Sequence, residues 1–186
     1  MDPKNYDRLI EIYEALAAHG YREVGQEYLQ NVLDTAKQLD AYDSGRIYYY
    51  LGEYQKAYLA LDEARDKGGA DSYLYLGRAY AATGDYNYAS SVYNNYLSKQ
   101  GPNAEIYNEL GLCEMAKKEY QNALAAFQAG KQIEGNSLMQ TLCFNEIVAY
   151  EYLEDYQQAE ILMNAYLQNY PDDQTAIREQ QFLSTR

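Results

Sequence analysis

The sequence predicts an all-α fold, a solenoid of about five helical hairpins closed by a terminal helix, and three observations carry that expectation. A self-similar pattern recurs through the chain at intervals of 33, 32, 34 and 36 residues, measured between Tyr21, Tyr54, Tyr86, Tyr120 and Tyr156. Such a period belongs to a unit of two antiparallel helices, which buries its apolar face only by stacking on its neighbours. Small and large residues recur at fixed phase within the period, and only three prolines and no convincing strand interrupt it.

The phase is read from the tyrosine that follows each short polar turn, in HGY, GEY, GDY, KEY and EDY. Three residues later come Val24, Ala57, Ala89, Ala123 and Ala159, sites where two helices can approach closely. Nine residues before it come Ile12, Gly45, Gly77, Gly111 and Ile147, and seven after it come Tyr28, Leu61, Tyr93, Phe127 and Met163. Small against large at constant phase is how paired helices interlock.

Taken in order, the first unit spans 5–37, with Asp2 and Pro3 as cap and first-turn residue and Gly20 at its internal turn. The second spans 38–69 and turns at Gly52; the third spans 70–103 and turns at Gly84, where a left-handed residue ends the first helix. Glycine pairs with glycine, proline or asparagine at 68–69, 101–102 and 135–136 to mark the joints between units. The fourth unit covers 104–137 with Asn103 as its cap, and the fifth covers 140–171 with Asn136 as a cap. The fifth starts late, which predicts a longer loop near Gly135 to Thr141. Residues 172–186, with an aspartate cap and a sparse apolar stripe of Ala176, Ile177 and Phe182 or Leu183, read as a solubilising terminal helix or the opening of a further repeat.

At these positions the sequence resembles the tetratricopeptide repeat family. The third unit carries Tyr73, Leu76, Gly77, Tyr80, Ala89 and Tyr93 at the family's signature spacing, and the fourth carries Tyr107, Leu110, Gly111, Ala123 and Phe127. Pro171 ends the last unit where the family pattern also places proline. The first unit departs most, with Ile12 for glycine and Ala15 for the aromatic, and the fifth has Ile147 for glycine. The resemblance implies a single solenoid over 1–171, coiled as a right-handed α-α superhelix, whose first helices line a concave face. It implies a non-catalytic scaffold that binds a protein or peptide partner there.

Charge narrows the partner. With 15 basic against 28 acidic residues the net charge is −13, a surface that repels phosphate backbones and anionic lipid, so neither nucleic acid nor direct membrane insertion is expected. Apolar residues at 47% and charged ones at 23% exclude disorder, and no apolar run or signal sequence is present. A complete chain would then be cytoplasmic, and one that had lost a leader extracytoplasmic. Two cysteines, Cys113 and Cys143, are too few for a disulfide framework and read as buried thiols.

Tyrosine is the unusual residue, with 24 copies. Twelve fall at scaffold positions: the five in register, Tyr28, Tyr48, Tyr73, Tyr80, Tyr93, Tyr107 and Tyr150. Phase assigns to the groove Tyr6, Leu9 and Tyr13 in the first unit, Tyr42, Arg46, Tyr49 and Tyr50 in the second, and Leu74 and Arg78 in the third. The fourth contributes Asn108 and Met115, and the fifth Phe144, Glu151 and Tyr152. Tyrosine and arginine dominate binding energy at interfaces. The groove is therefore expected to hold a peptide, unless these side chains bury each other. Arg46 and Arg78, equivalent in consecutive units, could grip a carboxylate or instead pair with Asp43 and Asp71. Some family members clamp acidic chaperone tails, but Leu9 and Tyr13 stand at the corresponding first-unit positions, so that clamp is not expected.

Catalysis has little to build on. His19 is the only histidine and sits at a turn, no zinc or calcium spacing occurs, and no glycine loop follows a strand. No enzyme, metal or cofactor is expected. Self-assembly into a homo-oligomer, or an accessory role within a larger and exported chain such as a lipoprotein, are the rival readings.

Overall fold

The computed structural model describes residues 6–36, 39–65 and 69–185; the expected Asp2–Pro3 cap and Gly68 lie outside them. The chain divides into two compact units, Met1–Asp85 and Tyr86–Arg186. The first holds α1 (Tyr6–Ala18), α2 (Arg22–Thr35), α3 (Ala41–Tyr50), α4 (Tyr54–Ala64) and α5 (Gly69–Ala82). The second holds α6 (Tyr86–Gln100), α7 (Ala104–Ala116), α8 (Tyr120–Lys131), α9 (Met139–Tyr152), α10 (Tyr156–Asn169) and α11 (Gln174–Leu183). No strand occurs among the described residues.

One turn recurs in every hairpin. Gly52, Gly84, Lys118 and Glu154 take positive φ of 78°, 84°, 65° and 61°, and Gly20 does so at 84°. In each case the left-handed residue donates to the carbonyl three back, and the next amide reaches the carbonyl five back, as in Gly52 to Tyr49 and Glu53 to Tyr48. This pair of bonds satisfies the carbonyls that a helix end leaves unmatched. Glycine accepts positive φ freely, whereas a residue with a Cβ adopts it at a cost of about 1–2 kcal/mol. Lys118→Gly and Glu154→Gly are therefore each expected to raise stability by about 1 kcal/mol in urea unfolding; a loss in both would remove the strain argument.

The turns also correct the register of the first hairpin. Gly20 directly precedes Tyr21, whereas the other left-handed residues stand two before their tyrosines, so the turn keeps its length but Tyr21 stands at the N-cap position that Glu53 holds in the second hairpin. Counted from the left-handed residue, the large position is Leu29, Leu61, Tyr93, Phe127 and Met163, and all five are fully buried. The expected Val24 is 52% exposed, and Gly25 and Leu29 take the places assigned to Val24 and Tyr28. Tyr13, not Ile12, then occupies the site filled by Gly45 and Gly111.

Packing follows from this phase. A Cβ on Gly45 would lie 2.5 Å from Leu61 Cγ, and one on Gly111 would lie 2.3 Å from Phe127 Cε1. In the first hairpin the arrangement is inverted: Tyr13 supplies the bulk and Gly25 the space, where a Cβ would meet the Tyr13 ring at 2.8 Å.

Two of the expected caps form among the described residues. Asn103 accepts from Ile106 N at 3.0 Å, and Asp173 accepts from Thr175 N and Ala176 N to start α11. Asn136 does not cap α9. Its amide donates to Ile133 O at 2.6 Å while its carbonyl accepts from Leu138 N, closing the loop that extends from the end of α8 to Met139. The terminal helix packs Ala176 and Leu183 into a core with Ile147, Ala159, Met163 and Tyr166.

Candidate functional site

The first unit brings together α1, α3 and α5, the first helices of their hairpins. Arg46 on α3 is 6% exposed, and its two terminal nitrogens donate to Asp7 on α1 and Asp43, each at 2.6 Å. Its guanidinium lies 4.2 Å from the centre of the Tyr42 ring, and Tyr42 donates to Asp71 of α5 at 3.3 Å. Beside this chain runs a second one: the Tyr50 hydroxyl donates to Glu14 of α1 and meets the Tyr75 hydroxyl at 3.0 Å, while Arg78 lies 5.8 Å above the Tyr75 ring.

Around these bonds the rings pack tilted or edge to face. Tyr50 lies 5.0 Å from Tyr13 and 5.3 Å from Tyr49, and Tyr49 lies 5.9 Å from Tyr54 and 5.6 Å from Tyr75. Such pairs stabilise each other beyond the area they bury. A cavity of about 370 Å³ opens beside them, lined by Tyr13, Glu14, Arg22, Tyr49, Tyr50 and Tyr54 among others.

The electrostatics keep three of these phenols neutral. Burial lifts Tyr42, Tyr50 and Tyr75 well above the usual tyrosine range; Asp71 adds to this at Tyr42, and Glu14 at Tyr50, while Arg46 and Arg78 pull Tyr75 back. Burial works against the charge of Arg46, but the bonds to Asp7 and Asp43 more than offset it and hold the guanidinium protonated. Burial likewise raises the Asp43 carboxyl, with Arg46 opposing. The face thus presents neutral hydroxyl donors, carboxylates and aromatic rings.

Of the residues assigned to the groove from sequence, Tyr6, Leu9, Tyr42, Tyr49, Tyr50 and Arg78 are half-buried in this unit. Tyr13 is only 4% exposed and Leu74 only 3%, because the first belongs to the hairpin interior and the second to the core of α5. Arg46 takes the pairing with Asp43 rather than leaving its guanidinium open. Asp7, Glu14, Asp71 and Tyr75 were not assigned. Counting from the left-handed turn residue would have found Glu14, which stands six before Gly20 as Arg46 stands six before Gly52 and Arg78 six before Gly84.

The second unit spends its polar groups internally. Asn108, 8% exposed, accepts from Asn145 at 2.9 Å. Ser90 donates to Glu114 at 2.8 Å, and Lys117 pairs with the same carboxylate at 2.7 Å. Phe144 packs on Tyr166 at 5.8 Å, and Met115 packs against the core around Phe127. Tyr152 stacks on Tyr120 at 5.0 Å and stays 57% exposed. Cys113 is buried, which pushes its thiol up to about 12, and Cys143 is half-buried. His19 donates from Nδ1 to Ala15 O at 2.8 Å, as a helix-end residue does.

Glu151 is the exception. Burial lifts its carboxyl to about 7, and Glu179 of α11 adds to the shift. A raised folded-state value means that stability present below the unfolded value is lost as pH rises through about 7. Glu151→Gln is expected to remove about 1–2 kcal/mol of that loss after solvent screening, so thermal melts at pH 5 and pH 8 should converge. An undiminished pH difference would refute the assignment.

The helical hairpins, their shared turn and their glycine–aromatic contacts define a repeat protein of stacked helix pairs. The sequence profile of the tetratricopeptide repeat matches residues 42–89 and 76–136, together just over half of the 186, and the chain belongs to that family. Among solved structures, a thermophilic tetratricopeptide repeat protein of Thermus thermophilus matches 97% of this chain and 100% of its own, with TM-score 0.73 and 16% identity. YrrB, described as having an unusual peptide-binding site, matches 96% of this chain and 99% of its own, with TM-score 0.65 and 16% identity. The second repeat domain of human RPAP3, solved with an HSP70 peptide, matches 63% of this chain and 97% of its own at TM-score 0.57 and 17% identity. At such identities the likeness shows the solenoid fold. A comparison with curated proteins finds no match. Among the described residues no helix is long and apolar enough to cross a membrane.

Proposed function

We propose that the chain is a non-catalytic scaffold that holds a peptide segment of a partner protein on the face formed by α1, α3 and α5. The observation that carries this reading is that Tyr49, Tyr50 and Tyr54, packed on the buried ring of Tyr13 and on Tyr75, border an open cavity rather than being sealed in a core. Rigid amphipathic rings give contact area and hydrogen bonding at low entropic cost. That the RPAP3 domain was solved with a peptide, and YrrB is described by a peptide-binding site, supports the same reading by analogy of fold.

Tyr50 is a poor probe because it bonds Glu14 and packs on Tyr13, so its truncation disturbs the hairpins as well as the face. Tyr49→Ala is the cleaner variant. Peptides selected from a random library on the wild-type protein are expected to bind Tyr49→Ala more weakly by about 2 kcal/mol, with helical circular dichroism unchanged. Equal affinity for both proteins would rule out the face.

A second reading, self-assembly, is favoured by one observation. Tyr21 and Val24 are 59% and 52% exposed, and Tyr21 joins Ile12 and Leu16 in an apolar pocket at the first hairpin. Light-scattering mass that rises with concentration and falls in Tyr21→Ser would support it; a constant monomer mass would exclude it.

A further inference from the structure

We propose that the partner segment is basic, and that the tyrosine cavity of the first unit receives one of its arginine or lysine side chains. The inference rests on the peptide-scaffold reading and specifies its chemistry. Sequence alone left open the opposite, a carboxylate gripped by Arg46 and Arg78.

The charges on this face decide against that anion. Both terminal nitrogens of Arg46 are committed, one to Asp7 and one to Asp43. Asp7 is itself 77% exposed at its side chain, so the pair turns a carboxylate outward and keeps the guanidinium in. Asp7, Glu14, Asp43 and Asp71 outnumber Arg22, Arg46 and Arg78 here, within a chain of net charge −13. An acidic segment would meet more like charge than opposite, and a basic one would be steered toward the face.

The same face already shows how it holds a cation. Arg46 and Arg78 each lie over a tyrosine ring, at 4.2 and 5.8 Å from its centre. The cavity offers the same chemistry to an incoming side chain: tyrosine rings set at angles to one another, with the exposed Glu14 carboxylate at the wall. A ring quadrupole attracts a cation, and more strongly once water is excluded. Glu14 stands at the position of Arg46 and Arg78 in the repeat, so the first hairpin presents an acid where the next two present the bases. Arg22 also lines the cavity, the one base there beside Glu14, and opposes an incoming cation.

The test uses a random-peptide library panned on the whole protein, with Glu14→Gln and Arg22→Ala as companions. Glutamine keeps an acceptor for the Tyr50 hydroxyl, so the hairpin contact survives. The enriched peptides are expected to carry arginine or lysine, and to lose affinity with added salt. They should bind Glu14→Gln about tenfold more weakly and Arg22→Ala more tightly. Enriched peptides that are acidic or neutral, or basic ones indifferent to Glu14→Gln, would overturn the cation site while leaving the peptide scaffold intact. Failure to enrich any sequence would remove both.

Discussion

Phe127→Ala is expected to cost about 3–5 kcal/mol, a large fraction of the roughly 5–15 kcal/mol that holds a typical domain folded. Phe127 has no exposed surface, and its ring lies directly over the backbone of Gly111, so alanine would leave a void that two helix backbones cannot close. The converse change probes the same contact from the other side. Gly111→Ala places a Cβ 2.3 Å from Phe127 Cε1 and is expected to cost about 1–3 kcal/mol despite alanine's better helix propensity. Combining Gly111→Ala with Phe127→Leu should recover part of the loss, because the smaller side chain can retreat. Urea unfolding of the wild type, Gly111→Ala, Phe127→Leu and their combination checks this; strictly additive losses would show that the two residues do not share a space.

Lys131→Met is expected to destabilise the second unit by about 3 kcal/mol. Glu146 of α9 is 5% exposed, ion-paired to Lys131 and hydrogen-bonded by Gln128 Nε2 at 2.9 Å. Removing the lysine leaves a buried carboxylate with one neutral donor. Replacing both residues, as Lys131→Met with Glu146→Leu, is expected to return most of the stability, since the burial cost of both charges disappears with their attraction. A double variant as unstable as the single one would show that Lys131 acts through its hydrocarbon stem and not its charge.

The hairpins and most of their packing were legible in the sequence because they depend on period and on the size of side chains. Gly45 against Leu61 and Gly111 against Phe127 meet as their spacing requires. The first hairpin was misplaced by one residue because tyrosine was used as the marker, although the left-handed turn residue controls helix phase. Two left-handed residues were not legible for a related reason: KEY and EDY mark their turns, but Lys118 and Glu154 take a conformation usually signalled by glycine. At the candidate site, Tyr42, Tyr49, Tyr50 and Arg46 were found from phase alone. Asp7, Glu14 and Tyr75 were not, and Asp71 was read only as an acid for an arginine although Tyr42 donates to it, because their role is to satisfy or flank those residues from helices elsewhere in the sequence. Which arginine is neutralised and by what is a property of three helices together.

The inverted first hairpin sets a rule for anyone who would shuffle or graft these repeats. Units that oppose a glycine on their first helix to a bulky residue on their second could trade second helices with modest repacking. The first could not: α2 carries its vacancy at Gly25, and only a partner with an aromatic at the place of Tyr13 fills it. A chimera joining α1 to α4 would set the Tyr13 ring against Ala57 and Leu61, and one joining α3 to α2 would set Gly45 against Leu29 but leave the space at Gly25 without the ring that fills it. The opening hairpin is thus a matched set, inherited or transplanted only as a pair.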